Sequence, residues 1–133
     1  DMRLTTYTDG GARGNPGPAA LGVVIKDSSG KIVAGYGKYL GNQTNNYAEY
    51  SALISALEKA KELGATEVDC VLDSELVTKQ MKREYKVKEP TLQALFIEVW
   101  NLKQDFKEVN FKIVPREQNK EADKLVNEEL DSR

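Results

Sequence analysis

Residues 3 to 40 read RLTTYTDGGARGNPGPAALGVVIKDSSGKIVAGYGKYL and contain three runs with the composition of β-strands. The first run covers residues 3 to 8, is rich in Thr and Tyr, and ends at the turn signal DGG. The other two runs cover residues 20 to 26 and 31 to 40, with the polar segment DSSG between them. Three consecutive strands with short connections predict an antiparallel meander.

The hydrophobic period changes after this meander. Between residues 46 and 63 apolar side chains recur at helical spacing, and Gly64 follows as a suitable C-terminal cap. The rest of the chain predicts two more strands and three more helices: strands at 67 to 72 and 109 to 114, and helices at 74 to 83, 91 to 106 and 119 to 130. Because strands joined through helices run parallel, we expect an α/β fold with a five-stranded mixed sheet flanked by helices.

Length and composition limit the classes of protein that fit. A chain of 133 residues has the length of one domain, so we interpret residues 1–133 as a single domain. The absence of His and the presence of one Cys exclude common zinc sites and His-dependent catalytic triads within one chain. Metal chemistry would therefore use oxygen ligands, which favour Mg²⁺, Mn²⁺ or Ca²⁺.

Hydropathy and charge indicate where the protein acts and what it binds. No run reaches the length of an apolar membrane span, and the N-terminus lacks the apolar region of a signal peptide, so we expect a cytoplasmic protein with no membrane partner. A net charge of −2 gives no general attraction for nucleic acid. Residues 79 to 88, KQMKREYKVK, are a local basic patch, although such a run is more often a solvated face.

Two acids follow predicted strands. Asp9 comes after the first strand and Asp73 after the fourth. In sheets of this kind, ligands gather beyond the C-terminal ends of parallel strands. Each acid also has a structural alternative, because Asp-Gly-Gly is common in turns and Asp73 is suited to capping the next helix.

Two more acids lie on predicted helices. Glu49 shares a helix face with Leu53, and Asp123 points along the same face as Val126. The alternative for both acids is a favourable interaction with the helix dipole, with Asn119 as the cap of the last helix. If the four acids converge, like charges about 4 Å apart repel by roughly 4 kcal/mol per pair, which implies raised pKa values or bound divalent metal. Two metals held by carboxylates activate a water and stabilise the leaving oxygen in a displacement at phosphorus.

Four blocks of sequence carry a family resemblance. They are YTDGGARGNPGPA at 7 to 19, TNNYAEYSALISAL at 44 to 57, LDSELVTKQ at 72 to 80 and VPREQNKEADKLV at 114 to 126. In this order, and from about residue 4 to about residue 130, the chain resembles type 1 ribonuclease H. The resemblance implies the ribonuclease H fold with strand order 3-2-1-4-5. It also implies endonucleolytic cleavage of the RNA strand of RNA/DNA hybrids, leaving 5′-phosphate and 3′-hydroxyl ends.

The resemblance assigns roles to ten residues. Asp9, Glu49, Asp73 and Asp123 would carry the catalysis by coordinating two Mg²⁺ ions, with Mn²⁺ as a substitute. The substrate contacts implied by the family pattern are Gly11, Asn15, Thr44, Asn45, Asn46 and Ser74. A helix-capping run is the structural alternative for residues 44 to 46. The implied partner is an RNA/DNA hybrid, and we expect a monomer that needs no protein partner.

The chain departs from many family members in two places. Where they carry a His before the last helix, this chain has Pro115-Arg116-Glu117-Gln118. Arg116 would contact a substrate phosphate or the departing product, with a solvated surface Arg as an equal alternative. Between residues 79 and 91 there is no room for a basic protrusion, so the chain resembles the branch without either feature.

Two other functions stay open as alternatives on this fold. One is a non-catalytic nucleic-acid-binding module, and the other is another nuclease or strand-transfer enzyme.

Overall fold

The three strands of the predicted meander are present, and each is longer than the sequence pattern indicates. The computed structural model describes all of residues 1–133, and in it β1 is Arg3–Ala12, β2 is Gly17–Lys26 and β3 is Ile32–Gln43. Both pairings in this meander are antiparallel, as predicted. The additional residues extend the sheet toward the edge where the predicted acids lie.

The prediction that Asp9-Gly10-Gly11 forms a turn was wrong. These residues lie inside β1, where Asp9 pairs with Gly22 of β2 and the ladder continues to Ala12. The chain reverses only at residues 13 to 16. Local turn propensity is overridden because the continuous ladder with β2 satisfies the backbone groups of this segment.

The second half of the chain follows the predicted order, with boundaries that differ by a few residues. A short 3₁₀ helix at Arg116–Gln118, which the sequence pattern did not indicate, follows the last strand. None of the helices is both long and apolar enough to span a membrane. The elements after the meander are α1 Asn45–Glu62, β4 Glu67–Leu72, α2 Glu75–Met81, α3 Pro90–Lys103, β5 Glu108–Ile113 and α4 Lys120–Asp131.

The order of strands in the sheet is β3-β2-β1-β4-β5, as the resemblance implied. The pairings of β1 with β4 and of β4 with β5 are parallel. The β1–β4 pairing ends at Tyr7 and Val71. The residues that follow these two positions therefore lie together at one edge of the sheet.

Strand β2 shows why helices cover both faces of the sheet. Leu21, Val23 and Ile25 belong to the main core, which α1 and α3 complete, whereas Ala20 packs with Val126 of α4. Successive side chains of a strand point to opposite faces. Helices α1 and α4 therefore lie on opposite sides of β2.

Two glycines allow α4 to lie close to the sheet. A Cβ at Gly22 would be 2.3 Å from the carbonyl oxygen of Ala122, and a Cβ at Gly37 would be 2.9 Å from that of Leu125. Both contacts are with helix backbone, so a larger residue would force α4 away from the strands. The position of Asp123 depends on this close packing, because Asp123 lies on the same turns of α4.

The helix ends show which polar residues act as caps. Thr44 caps α1, since its hydroxyl accepts a hydrogen bond from the N–H of Tyr47 at 3.1 Å. Gly64 follows α1 with a φ of 94°, which agrees with its predicted role as a C-terminal cap. Ser74 caps α2, so the alternative that Asp73 is the cap was wrong. The carboxylate of Asp73 is therefore not used in capping.

Candidate metal centre and substrate cleft

Three of the four predicted acids meet at the edge of the sheet where β1 and β4 cease to pair. Asp9 lies in β1 beyond the last pair with β4, Asp73 follows β4 directly, and Glu49 comes from α1. One carboxylate oxygen from each residue lies within 4.8 Å of those from the other two. We refer to Asp9, Glu49 and Asp73 as the acid cluster.

Glu49 is buried and hydrogen-bonded to the backbone of β1. It is 9% exposed, and its Oε1 accepts a hydrogen bond from the N–H of Gly10 at 2.5 Å. The alternative of a first-turn acid at the helix dipole was wrong, because the first turn of α1 contains no acid. The Glu49 carboxylate is instead held by the strand that carries Asp9.

Gly10 allows α1 to lie directly against β1. A Cβ at Gly10 would be 2.2 Å from the carbonyl carbon of Ala48 and 2.5 Å from the backbone nitrogen of Glu49. These neighbours are backbone atoms of α1, which cannot yield without a shift of the helix. The lack of a side chain at Gly10 therefore brings Glu49 within reach of Asp9.

Burial and mutual repulsion disfavour ionisation of the acid cluster. Burial, reinforced by the charge of Asp73, raises the pKa of Asp9 to about 7. Burial, with Asp9 as the next cause, raises the pKa of Glu49 well above its usual range. Burial also raises the pKa of Asp73, against opposing contributions from Asn119 and Arg116. A divalent cation would relieve this repulsion.

The donor atoms of the acid cluster fit a hard cation. All three side chains offer carboxylate oxygens, and the chain contains no His. Its one thiol, at Cys70, is buried elsewhere in the core. Oxygen-only ligand sets are those that Mg²⁺, Mn²⁺ and Ca²⁺ prefer. The cluster therefore has the chemistry of a metal centre for this group of ions.

Asp123, the fourth predicted acid, lines the same cleft but lies outside the acid cluster. Its Oδ1 accepts a hydrogen bond from Nη2 of Arg116 at 3.2 Å. Nδ2 of Asn127 donates to the backbone oxygen of Asp123 at 3.2 Å and to its Oδ2 at 3.5 Å. Asp123 is therefore held at the rim of the cleft, and we refer to Asp123 and Arg116 as the rim pair.

The acid cluster lies in an open cleft of about 480 Å³. Four of the six predicted substrate residues line this cleft together with the acids: Gly11, Asn45, Asn46 and Ser74. Asn15 and Thr44 are not among its lining residues. The cleft is lined by the end of β1 and by residues of α1 and α4, and it is open to solvent above the acids.

Asn15 and Asn45 join the β1–β2 loop to the start of α1. Oδ1 of Asn15 accepts a hydrogen bond from the N–H of Asn45 at 3.0 Å. Oδ1 of Asn45 in turn accepts one from the N–H of Ala12 at 2.8 Å. Because these bonds use the amide oxygens, the NH₂ groups of both side chains are left as donors. Asn15 thus positions Asn45, which lines the cleft.

Sequence reasoning missed two asparagines near the acids. Asn127 lies four residues after Asp123, a spacing at which side chains meet on a helix and which was a usable signal. Asn119 was interpreted as the cap of α4, but its side chain makes no capping bond. Its Nδ2 donates instead to the backbone oxygen of Thr8 at 2.8 Å. No local pattern indicates that contact, because Thr8 lies on the first strand.

The strand order, the helices on both faces and the acids at the end of the β1–β4 ladder together define the ribonuclease H fold. Comparison with known proteins agrees with this class. The profile of a family described as reverse transcriptase-like matches residues 7–129, and the chain belongs to this family.

Curated relatives include proteins with ribonuclease names. The chain is 43% identical over 129 residues to ribonuclease HI of Halobacterium salinarum, a match covering 97% of this chain and 65% of that protein. It is 42% identical over 132 residues to a Mycobacterium tuberculosis protein named Bifunctional protein Rv2228c, a match covering 98% of this chain. The chain spans only 36% of the length of that mycobacterial relative.

Solved structures show the same similarity in three dimensions. Ribonuclease H1 of Halobacterium salinarum superposes with a TM-score of 0.96 and 42% identity, over 98% of this chain and 99% of that one. LC11-RNase H1, solved in complex with an RNA/DNA hybrid, superposes with a TM-score of 0.93 and 47% identity, over 97% of each chain. The resemblance to type 1 ribonuclease H is thereby confirmed.

Proposed function

We propose that this chain is an endonuclease that hydrolyses the RNA strand of RNA/DNA hybrids and leaves 5′-phosphate and 3′-hydroxyl ends. The observation that carries the proposal is the acid cluster, whose three carboxylates meet within 4.8 Å. The relatives named ribonuclease HI and the hybrid bound to LC11-RNase H1 support the choice of substrate.

The acid cluster would hold two Mg²⁺ ions, with Mn²⁺ as a substitute, and Asp123 would complete the ligand set from the rim. When bound, the ions activate a water and stabilise the leaving oxygen of an in-line displacement at phosphorus. The task of the chain is to orient the four carboxylates and to release the protons that burial retains on the acid cluster. Asp123 can leave Arg116 and bind a metal ion instead, because an exposed ion pair of this kind opens at a cost of about 0–1 kcal/mol.

Arg116 would take the part that relatives give to a loop His. Its side chain is 76% exposed and is tied only to Asp123, so it is free to turn toward a phosphate of the substrate or of the departing product. A guanidinium stays charged throughout the working pH range and cannot move a proton as His does. We therefore assign Arg116 to electrostatic contact rather than to proton transfer.

The donors along the cleft would recognise the ribose hydroxyls. Asn45 and Asn46 lie beside the acid cluster, and Asn45 presents an NH₂ group because its oxygen is bound to Ala12. Recognition of RNA depends on hydrogen bonds to the 2′-hydroxyl across a shallow minor groove. Gly11 and Ser74, also in the cleft, would contact the sugar-phosphate backbone.

The basic segment at 79 to 88 would add only weak attraction for the hybrid. Lys79 is paired with Glu75 at 3.2 Å, and the Arg83 guanidinium lies 5.5 Å from the Phe96 and Trp100 ring centres. The exposed amines that remain are those of Lys82, Lys86 and Lys88. We expect substrate binding to be weak and to weaken further as salt is added.

The proposal is tested by incubating the purified chain with three labelled duplexes: an RNA/DNA hybrid, duplex DNA and duplex RNA. In Mg²⁺ or Mn²⁺ we expect cuts in the RNA strand of the hybrid alone, with 5′-phosphate ends on the products. Absence of hybrid cleavage in both metals would overturn the proposal, and hybrid affinity without cleavage would favour a non-catalytic binding module. Cleavage of duplex DNA would favour another nuclease on the same fold.

We also propose that residues 1–133 act as one domain, as a cytoplasmic monomer that needs no protein partner. Light scattering at the protein concentration of the cleavage assay measures the mass of the active species. Activity that appears only in a dimer fraction would contradict this part of the proposal.

A further inference from the structure

Asn119 stands at the first position before α4 but does not behave as a helix cap. A capping Asn is solvent-accessible and its side-chain oxygen accepts a hydrogen bond from the first turn of the helix. Asn119 is 2% exposed, and its side chain makes no such bond. Its amide nitrogen donates to the backbone oxygen of Thr8 at 2.8 Å. The side chain is therefore turned inward, toward the strand position that precedes Asp9.

The same amide acts on a second member of the acid cluster. Asn119 also lowers the pKa of Asp73 against the effect of burial, although the hydrogen bond that its side chain makes is the one to Thr8. The Asn119 amide is thus bonded to β1 next to Asp9, and it favours the ionised form of the carboxylate that follows β4. Strands β1 and β4 are no longer paired at this level, because their ladder ends at Tyr7 and Val71.

The amide oxygen of Asn119 gains nothing from this arrangement. Its Oδ1 is buried and has no hydrogen-bond partner. A buried acceptor without a partner destabilises a fold, and an apolar residue of similar size avoids that cost. An apolar residue here would leave the carbonyl oxygen of Thr8 without its donor, so what Asn119 contributes is the bond to the backbone beside Asp9.

We propose that Asn119 is a positioning residue that fixes the acid cluster for metal binding. It bonds to the strand that carries Asp9, and it stands at the start of the helix that carries Asp123. A single NH₂ group thereby ties β1 to the start of α4 at the level of the acids. This inference rests on the proposed function, since it deepens the account of the same metal centre.

The test compares Asn119→Leu and Asn119→Ser with a matched control, Gln80→Leu. Gln80 is likewise a buried amide, 3% exposed, but it accepts a hydrogen bond from Tyr50 and donates to the carbonyl oxygen of Lys86, away from the acids. Mn²⁺ affinity is measured by calorimetry on each chain without substrate, together with thermal unfolding and the Mg²⁺ dependence of hybrid cleavage.

We expect both Asn119 variants to lose Mn²⁺ affinity by about tenfold or more, the range found when a group that orients a metal ligand is removed. Asn119→Leu should unfold at a lower temperature than the unmodified chain, because the buried carbonyl oxygen of Thr8 loses its donor. Gln80→Leu should lower the unfolding temperature and leave Mn²⁺ affinity unchanged.

Wild-type Mn²⁺ affinity in a folded Asn119→Leu or Asn119→Ser chain would overturn the inference. An equal loss of affinity in Gln80→Leu would also overturn it, because the effect would then follow general destabilisation. The proposed function is judged separately, by hybrid cleavage in the unmodified chain, so its failure leaves the comparison of Mn²⁺ affinities intact.

Discussion

The acid cluster and the rim pair lie in one cleft but are held by different kinds of contact. Glu49 of the cluster is buried and bound to a backbone N–H of β1. In the rim pair, the side chain of Arg116 is 76% exposed and that of Asp123 is 27% exposed. The three carboxylates of the cluster repel one another, so the fold must hold them together. The opposite charges of the rim pair attract each other, so that pair depends on the fold very little.

This difference indicates how the site would work. The cluster gives a fixed set of ligands at the end of two strands and a helix, and a cation would be drawn to it by uncompensated charge. The rim pair gives one acid and one guanidinium that can exchange partners as substrate and product pass. Substitutions in the cluster should therefore change activity and stability together, whereas substitutions in the rim pair should change activity alone.

The largest effect is expected for Asp9→Asn. Loss of a charged metal ligand should remove several kcal/mol of transition-state stabilisation, a fall in hybrid cleavage of about a thousandfold or more. The metal-free chain should become more stable, because one of three mutually repelling acids is gone. Cleavage rates and thermal unfolding in a chelator measure the two effects, with the exposed Glu98→Gln as control. An undiminished rate would remove Asp9 from the mechanism.

Gly10→Ala should break the cluster through the backbone. The added Cβ would be 2.2 Å from the carbonyl of Ala48, so we expect a loss of about 3 kcal/mol in the free energy of unfolding, the upper end of the usual range for overpacking. Gly35→Ala is the matched control, since no atom lies within 4 Å of a Cβ there. Chemical denaturation measures both variants. Equal stability of the two would show that α1 does not need its close approach to β1.

The pH dependence of stability should distinguish the cluster from the rim. The pKa of Asp9 is raised to about 7, so between the ordinary pKa of about 3.9 and pH 7 the folded state binds a proton that the unfolded state lacks. The free energy of unfolding of the metal-free chain should therefore fall as pH rises through this window. Glu49 contributes in the same direction, and the contribution of Asp9 is complete above about pH 7.

Denaturation at a series of pH values in a chelator measures this slope. Asp9→Asn should flatten it, and Arg116→Ala, the rim control, should leave most of it in place. Saturating Mn²⁺ should make the fall in the free energy of unfolding with pH less steep. Mn²⁺ has to displace the protons of the cluster, so it binds and stabilises the folded chain more strongly at higher pH. The same slope in Asp9→Asn as in the unmodified chain would contradict the assignment to Asp9.

Arg116→Ala is expected to have the smallest effect. The free energy of unfolding should change by less than about 1 kcal/mol, because the pair with Asp123 is exposed. Hybrid cleavage should fall about tenfold or less, as one phosphate contact of about 1.4 kcal/mol is lost. Single-turnover and steady-state rates separate the chemical step from product release, and Arg116→Lys tests whether charge alone suffices. Unchanged rates in both regimes would make Arg116 a solvated surface residue.

The sequence pattern predicted the fold more completely than the site. The order of strands and helices could be predicted because apolar residues recur with a period that is visible within a short stretch of sequence. The acids that follow strands were located by the same reasoning. The error at Asp9-Gly10-Gly11 arose because turn propensity is also local, whereas the ladder that includes Asp9 depends on a strand formed later in the chain. The role of Asn119 was missed for a related reason, because its partner Thr8 is 111 positions away.

By itself, the sequence determined the order of helices and strands, the absence of His as a metal ligand and the identity of the acids at strand ends. Only the tertiary structure decided that Asp9, Glu49 and Asp73 meet while Asp123 stays at the rim with Arg116. The reason is physical: the distances among the acids depend on how closely α1 lies on Gly10 and α4 on Gly22. These are contacts between backbones far apart in the chain, and no local pattern of residues specifies them.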